Sequence, residues 1–465
     1  MASRTASARL LSTRSLRSAS ESPRVAVIGG GFAGLAAAHR LASAGIPVTV
    51  FERSAHLGGL AMTFPIGDTE IEKYYHHWFT SDGDVLRLLA ELGLDDRVRW
   101  ISPTMGMFCG GEVYRFTSPA DLLRFRPFSF AAKVRFAVVT LFLQRYPRRE
   151  SFEEVTASRW LRRTAGREVY DLVWGPLLRA KFGRHAESIS MAWVWSKMRL
   201  RGTSRTSGGS RESLGYIEGG FGVVARRLAD RILASGGVIH APEPVRRISA
   251  TADGRGNLLE IETARRRERF VAVVSTVAPP LLARLAPDFP ERYRARCAQF
   301  EHSAILCTML LLRRSLSPIY WMNISDPTIP FGGLIEHTNF IPAARYQDRR
   351  IVYVSHYVYP DQPIYRWDSR QLFEHYRPGL RRVQPAFDDD WIERYFAFRD
   401  DYAQPIVDVG YHRRILPLES PLPGLVVATM AQIYPEDRGT NYAVRIGERA
   451  AQTLLAGALA RARRS

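Results

Sequence analysis

Val25–Leu60, VAVIGGGFAGLAAAHRLASAGIPVTVFERSAHLGGL, is the stretch that decides the fold. Val25, Val27 and Ile28 form a short apolar run of the kind a buried parallel strand carries. Gly29, Gly31 and Gly34 follow as G-x-G-x-x-G. The first glycine permits a tight turn, the second lets a pyrophosphate approach the backbone, and the third lets a helix pack on the sheet. Phe32 and Ala33 lie between the last two glycines, where the helix opens with free N–H groups and a positive dipole end. The helix runs through LAAAHRLASAG and stops near Gly45. Pro47–Phe51 makes a second strand with Glu52 at its end, 18 residues after Gly34, where a carboxylate accepts from ribose hydroxyls. Arg53 is a partner for adenosine or a surface charge. Strand, glycine loop, helix, strand and acid in this order specify a nucleotide-binding Rossmann unit and not a bare glycine turn.

Glu52 argues against NADP, whose 2′-phosphate it would repel. A second glycine pair, Gly58-Gly59, with Leu60, Ala61 and Thr63 behind it, offers another close backbone approach and suits a long cofactor. This loop resembles that of the FAD family of amine oxidases, protoporphyrinogen oxidases and phytoene desaturases, which reads Gly-Gly-Arg-x-x-Ser/Thr. Gly58, Gly59 and Thr63 match, whereas Leu60 replaces the usual Arg and can contribute backbone only. The resemblance implies FAD as cofactor and an α/β fold: a discontinuous Rossmann-type FAD-binding domain with an interleaved α+β substrate domain. It also implies a backbone contact from Val245 to the adenine, and N–H groups of Gly439, Thr440 and Asn441 facing the flavin.

Composition bounds the rest. A chain of 465 residues is too long for one compact core. The longest apolar run, FAVVTLFL, falls well short of the roughly 18 residues a spanning helix needs. Cys109, Cys297 and Cys307 are scattered and odd in number, without metal spacing, so a reducing, cytoplasmic setting is expected and no metal site. The net charge of +19 comes from 65 basic residues, of which Lys73, Lys133, Lys181 and Lys197 are the lysines, leaving 61 arginines. These arginines are spread along the chain with no recognition helix, finger or RNA-binding signature, which argues against nucleic acid. Contact with the inner face of an anionic membrane stays open. The four lysines mark places where a compact ammonium serves and a planar fork does not. Residues 1–23, serine- and arginine-rich with no acid before Glu21, read as a disordered leader.

The expected organisation is residues 24–100 as the first FAD-binding segment, 101–214 as a mostly helical substrate or cap segment, and 215–285 as the second FAD-binding segment. Residues 286–415 make an antiparallel substrate-domain sheet, from runs such as AILCTMLLL and IVYVSHYVY, and 416–465 the third FAD-binding segment. Within the first FAD-binding segment, Ser81-Asp82 caps a helix. Trp193 and Trp195 alternate like two rings on one face of an extended segment, and Arg201–Arg211 is a loop. Phe125–Tyr146 mixes Phe128, Phe130, Phe136 and Phe142 with Arg124, Arg126, Lys133, Arg135 and Arg145. It reads either as an interfacial membrane helix or as a core-packing helix pair, the shortness of its apolar run favouring the second.

If FAD is bound, the flavin carries the redox chemistry and the protein positions substrate against it. His76 and His77, in YYHHWF, are candidates to place an imidazole beside the flavin as hydrogen-bond donor or proton shuttle. Lys181 is a candidate to hold a water or an anionic substrate group, and Tyr434 also lies near the flavin end. The main expectation is an oxidoreductase moving a hydride equivalent from a hydrophobic or sugar-linked small molecule to flavin, with oxygen, quinone or another acceptor behind it. The HHWF run also resembles UDP-galactopyranose mutases, with His77 the matching residue and Arg438 and Tyr442 a loose echo, which implies chemistry on a sugar nucleotide or lipid-linked sugar without net redox. A third reading is a flavin-free lipid-binding carrier of the same fold. The oligomeric state is not readable.

Overall fold

The computed structural model describes residues 23–203, 212–253, 256–457 and 459. The leader at 1–23, save its last residue, and most of the Arg201–Arg211 segment therefore lie outside the described residues; the described part of the latter, through Thr203, is helical and not loop.

Val25–Ile28 is buried at every position because it is the middle strand of a five-stranded parallel sheet. Its neighbours are Val48–Phe51 and Ala272–Ser275, flanked in turn by Val238–His240 and Leu425–Val427. Three separate stretches of chain thus build one sheet. On one face lie the helices Phe32–Ser43, Gly222–Ala234 and Thr440–Ala456, whose Leu35, Leu228 and Val444 join Val25 and Val27 in one core. On the other face Ala26, Ile28 and Phe51 pack in a second core with Ile248, Leu259 and Phe270 of a three-stranded antiparallel sheet. Two glycines set the spacing of the helical layer. A Cβ at Gly34 would lie 1.9 Å from the Gly29 carbonyl oxygen, and one at Gly447 would lie 2.1 Å from that of Ala33. Glu448 locks the layer by accepting from Arg40 and Arg87, both at 2.7 Å.

The largest sheet has seven strands, in which Met105–Cys109 and Glu112–Arg115 extend the strands drawn from 302–405. It is antiparallel except where Trp321–Ile324 runs parallel to Met105–Cys109. His302–Leu312 is buried throughout, since both faces are covered. Ile305, Cys307, Met309 and Leu311 turn to the first core, and Ala304, Leu306, Leu310 and Leu312 to a third core shared with the helix Ser369–Val383.

Residues 119–203 form the helical block. Trp193 and Trp195 sit on the helix Met191–Thr203 and not on an extended segment, so their side chains diverge. Trp193 faces the lysines described below, while the Trp195 indole donates to the Tyr146 carbonyl at 2.8 Å. Asp82 does precede a helix, Gly83–Glu91, but its carboxylate turns back to accept from the Phe79 N–H at 2.9 Å instead of capping.

Candidate active site

The glycine loops meet back to back. Gly31 and Gly58 form an isolated parallel bridge, Gly58 N–H donates to Gly30 at 2.8 Å, and a Cβ at Gly59 would lie 3.1 Å from the Gly31 Cα. Positive φ at Gly29, Gly58 and Gly59 makes these turns available to glycine and strained for other residues. Gly29, Gly31, Ala33, Gly59 and Leu60 are half-exposed, so the lip is bare backbone, and the first N–H groups of the helix at Phe32 have no intrahelical acceptor. That is a cradle for a pyrophosphate, and it fits a flavin dinucleotide. Phe32 itself turns into the core toward Phe221, and Ala61 is buried.

Glu52 accepts from Gly30 N–H at 2.6 Å and Ser54 N–H at 2.7 Å, which fixes its carboxylate at the end of the strand. Its carbonyl accepts from Glu243 N–H at 2.6 Å, which draws the segment carrying Val245 to the same strand end. Arg53 points outward, 3.4 Å from Asp400. The Thr63 hydroxyl is engaged by Glu70 at 2.7 Å, so its side chain faces the hairpin and not the loop. At the far end, Thr440 accepts from the Trp78 indole at 2.7 Å and Asn441 from Val85 N–H at 3.0 Å. Both side chains are thereby committed to the protein, and the backbone N–H groups at the helix start from Gly439 are what remains for a ligand.

Four distant stretches converge beside that helix start. Lys181, from the helix Gly175–Phe182, and Lys197, from Met191–Thr203, both donate to Asp437 Oδ2 at 2.7 Å. The Trp193 ring lies 4.8 Å from the Lys197 ammonium and donates its own N–H to Asp437 Oδ1 at 3.3 Å. Next in the chain, Arg438 donates to the Tyr357 hydroxyl at 2.8 Å. From the other side come Tyr75, His76 and His77. Tyr75 packs edge-on to Trp321 at 4.8 Å, His76 Nδ1 meets the Tyr74 carbonyl at 2.7 Å, and His77 Nδ1 meets the Tyr320 hydroxyl at 3.1 Å. Tyr75, His76, His77, Lys181, Lys197, Asp437 and Arg438 keep partial accessible surface, whereas Trp193 and Tyr320 are buried.

Desolvation sets the charges. It drives His76 down to about 4 and His77, further opposed by His76, to about 3, so both imidazoles are neutral at ordinary pH. Burial opposes ionisation of Asp437, but Lys181, Lys197 and Arg438 outweigh it and hold the carboxyl well below the usual range. Burial pulls Lys197 down to about 8 against the attraction of Asp437, and lowers Lys181 in the same sense. One carboxylate thus faces three cations, and the site is electropositive.

The structure places His76 near Arg438 and His77 near Lys197, and Lys197 shares Asp437 with Lys181. Tyr434 is elsewhere, its hydroxyl 3.2 Å from Ser190 and its ring against Tyr411. Asp437 and Tyr357 carry no motif and were not singled out from sequence; Lys197 was visible only as one of four lysines. Glu72 was also missed. Buried, it accepts from Phe221 N–H at 2.6 Å and the Tyr216 hydroxyl at 2.9 Å, and desolvation raises it to about 7. Among the described residues no group of His, Cys, Asp and Glu is arranged to hold a metal ion.

Residues 32–455 match the family described as flavin-containing amine oxidoreductase. Mitochondrial protoporphyrinogen oxidase of Nicotiana tabacum is 29% identical over 176 residues, 37% of this chain and 35% of that protein. The chain therefore spans about a third of the length of such curated relatives. Putrescine oxidase bound to putrescine superposes with a TM-score of 0.71 at 17% identity, covering 93% of this chain and 99% of that one. Reduced UDP-galactopyranose mutase gives 0.70 at 14% identity, covering 93% and 96%. The last two are similarities of fold.

Proposed function

Because the chain belongs to the family of flavin-containing amine oxidoreductases, we propose that it is an FAD-dependent oxidoreductase taking a hydride equivalent from a hydrophobic or sugar-linked organic substrate in the cleft around Asp437. The observation that carries this reading is the convergence of Lys181 and Lys197 on Asp437 immediately before the helix that starts at Thr440. Bound FAD supplies the electron sink. Of the chain's own groups, Lys197 Nζ, lowered to about 8, takes up the proton that a substrate N–H or O–H loses as it is oxidised. Asp437 keeps that nitrogen in place and Trp193 covers it from water. His76 and His77, neutral, bind and orient; they do not supply a positive charge. Arg438 stays charged and holds Tyr357 at the wall. Peripheral contact with the inner face of a membrane would put the cleft within reach of substrates dissolved in lipid.

The test is a flavin spectrum of the purified protein followed by an anaerobic screen of amines, polyenes and porphyrinogens. Bleaching of the bound flavin by a member of these classes supports the proposal. A colourless protein that stays colourless after incubation with FAD refutes it and leaves the lipid-carrier reading. A second reading, mutase-like chemistry on a sugar phosphate, is favoured by the surplus of cations around Asp437 and by His77 near Lys197. Activity that appears only after dithionite reduction, with no substrate oxidised, would select it.

A further inference from the structure

The helix Phe130–Arg145 is apolar on two sides and covered on one. Ala132, Val139 and Leu143 are buried, and Phe136 stacks on Trp174 at 6.4 Å. The opposite side carries Phe130, Val134, Val138, Leu141 and Phe142, exposed by 77, 46, 59, 44 and 45%. Their spacing of four, four, three and one residues puts them on one stripe. Leu123, 66% exposed, lies on the preceding helix, which Lys133 ties to this one by donating to the Leu123 carbonyl at 2.7 Å. Six of the ten exposed large hydrophobic residues among the described ones therefore fall within this short stretch, so the exposure is a patch and not ordinary scatter.

The charge around the patch is predominantly positive. Between Asp121 and Glu150 the chain has seven basic residues and no acid. Arg124, Arg126, Arg135, Arg145 and Arg148 are exposed about the stripe. One acid from a neighbouring element, Glu168, stays ionised at the start of the helix, accepting from the Ser129 hydroxyl at 2.7 Å, and is outnumbered by the guanidinium groups. Two copies of this face would set arginines against arginines, which disfavours self-association. With 16 residues the helix is about 24 Å long, short of the roughly 30 Å of a bilayer core, and no described helix is long and apolar enough to cross a membrane. A helix with bare apolar side chains flanked by guanidinium groups lies flat at a lipid surface, rings and aliphatic chains down and cations at the phosphates.

We propose that the patch from Leu123 to Phe142 docks this protein into the headgroup region of an anionic phospholipid bilayer. The helix it occupies packs against Met191–Thr203, the helix that carries Trp193 and Lys197 to the cleft. Docking there would set the cleft on the membrane side of the molecule. The inference deepens the reading of a lipid-dissolved substrate, and it rests on that reading only for its purpose, not for its test.

The experiment is co-sedimentation of the purified full chain with vesicles of equal phosphatidylglycerol and phosphatidylcholine, and with pure phosphatidylcholine vesicles, at 0.1 and 0.5 M salt. Expected is pelleting with the anionic vesicles, at least tenfold weaker on the neutral ones and weakened by salt. The double variant Val138→Glu with Leu141→Glu, both exposed, should keep its circular dichroism and flavin content and lose vesicle binding at least tenfold. Recovery in the supernatant with both vesicle types overturns the proposal, as does unchanged binding of the double variant. A dimer in sedimentation velocity without lipid, dissolved by the same substitutions, also overturns it, by making the face an interface between copies. Because binding is read without turnover, failure of the oxidoreductase reading would leave this result standing, and failure here would leave that reading untouched.

Discussion

Lys181 and Lys197 donate to the same oxygen of one carboxylate, Oδ2 of Asp437, each at 2.7 Å. Two ammonium groups on one acceptor atom leave surplus positive charge held by a single acid. Removing that acid should be costly. Asp437→Asn leaves two desolvated cations without their partner, and should reduce stability by about 3 kcal/mol in urea unfolding, softened by deprotonation of Lys197. Wild-type stability in this variant would show that the pair is not held as described.

Lys197 should print a pH dependence on stability. Its folded pKa of about 8 lies below the ordinary value of 10.5, so the folded state releases its proton first. Stability then rises with pH between about 8 and 10.5, because the unfolded chain binds more protons in that window. Subtracting the curve of Lys197→Met from that of the wild type should isolate this rise. If the amine is the proton acceptor, kcat of the wild type should also climb through an apparent pKa near 8, and the methionine variant should lose that limb.

Glu72 should act in the opposite sense. Its folded pKa of about 7 lies above the usual 4.5, so between those values the folded state holds a proton the unfolded chain has lost. Stability contributed here falls as pH rises from about 4.5 to 7. Glu72→Gln keeps an acceptor for Phe221 N–H, and relative to the wild type it should gain up to about 3 kcal/mol across that interval. Denaturant midpoints at pH 5 and pH 8 decide the sign.

Gly31 and Gly34 should separate cofactor retention from folding. A Cβ at Gly31 meets nothing closer than 3.6 Å, whereas at Gly34 it meets the Gly29 carbonyl oxygen at 1.9 Å. Gly31→Ala should leave the apoprotein melting temperature unchanged and lower the flavin content, since the methyl group stands where a phosphate would approach. Gly34→Ala should lower the melting temperature with or without FAD. Stoichiometric flavin in the first variant would contradict the cradle argument.

His76 and His77 should not titrate between pH 5 and 8. Desolvation holds them near 4 and 3, and NMR of labelled imidazoles should show neutral rings across that range. Substituting either with Asn should change KM or kcat without shifting the pH profile near 6.5. A lost limb at that pH would assign one of them the proton transfer instead of Lys197.

The Rossmann unit was legible because every decisive residue lies within one local stretch. Gly29, Gly31, Gly34 and Glu52 report on their own turns, helix start and strand end, and the geometry found there is the one their spacing implies. His76, His77 and Lys181 were legible as candidates by residue type alone. Asp437 was not, because an acid in an arginine-rich chain looks like a solvated charge until two lysines from other helices are seen to meet it. The exposed stripe from Phe130 to Phe142 was open to two readings for a related reason. Apolar content says that a helix wants cover, and not whether the protein supplies it.

By itself, then, the sequence determined the cofactor-binding frame, since short-range backbone sterics at glycine and the reach of one carboxylate are encoded over a few tens of residues. Only the tertiary structure decided what stands opposite that frame. The charge state of Lys197, the neutrality of His77 and the partner of Asp437 all follow from desolvation and from neighbours far away in the chain, and local spacing does not encode either.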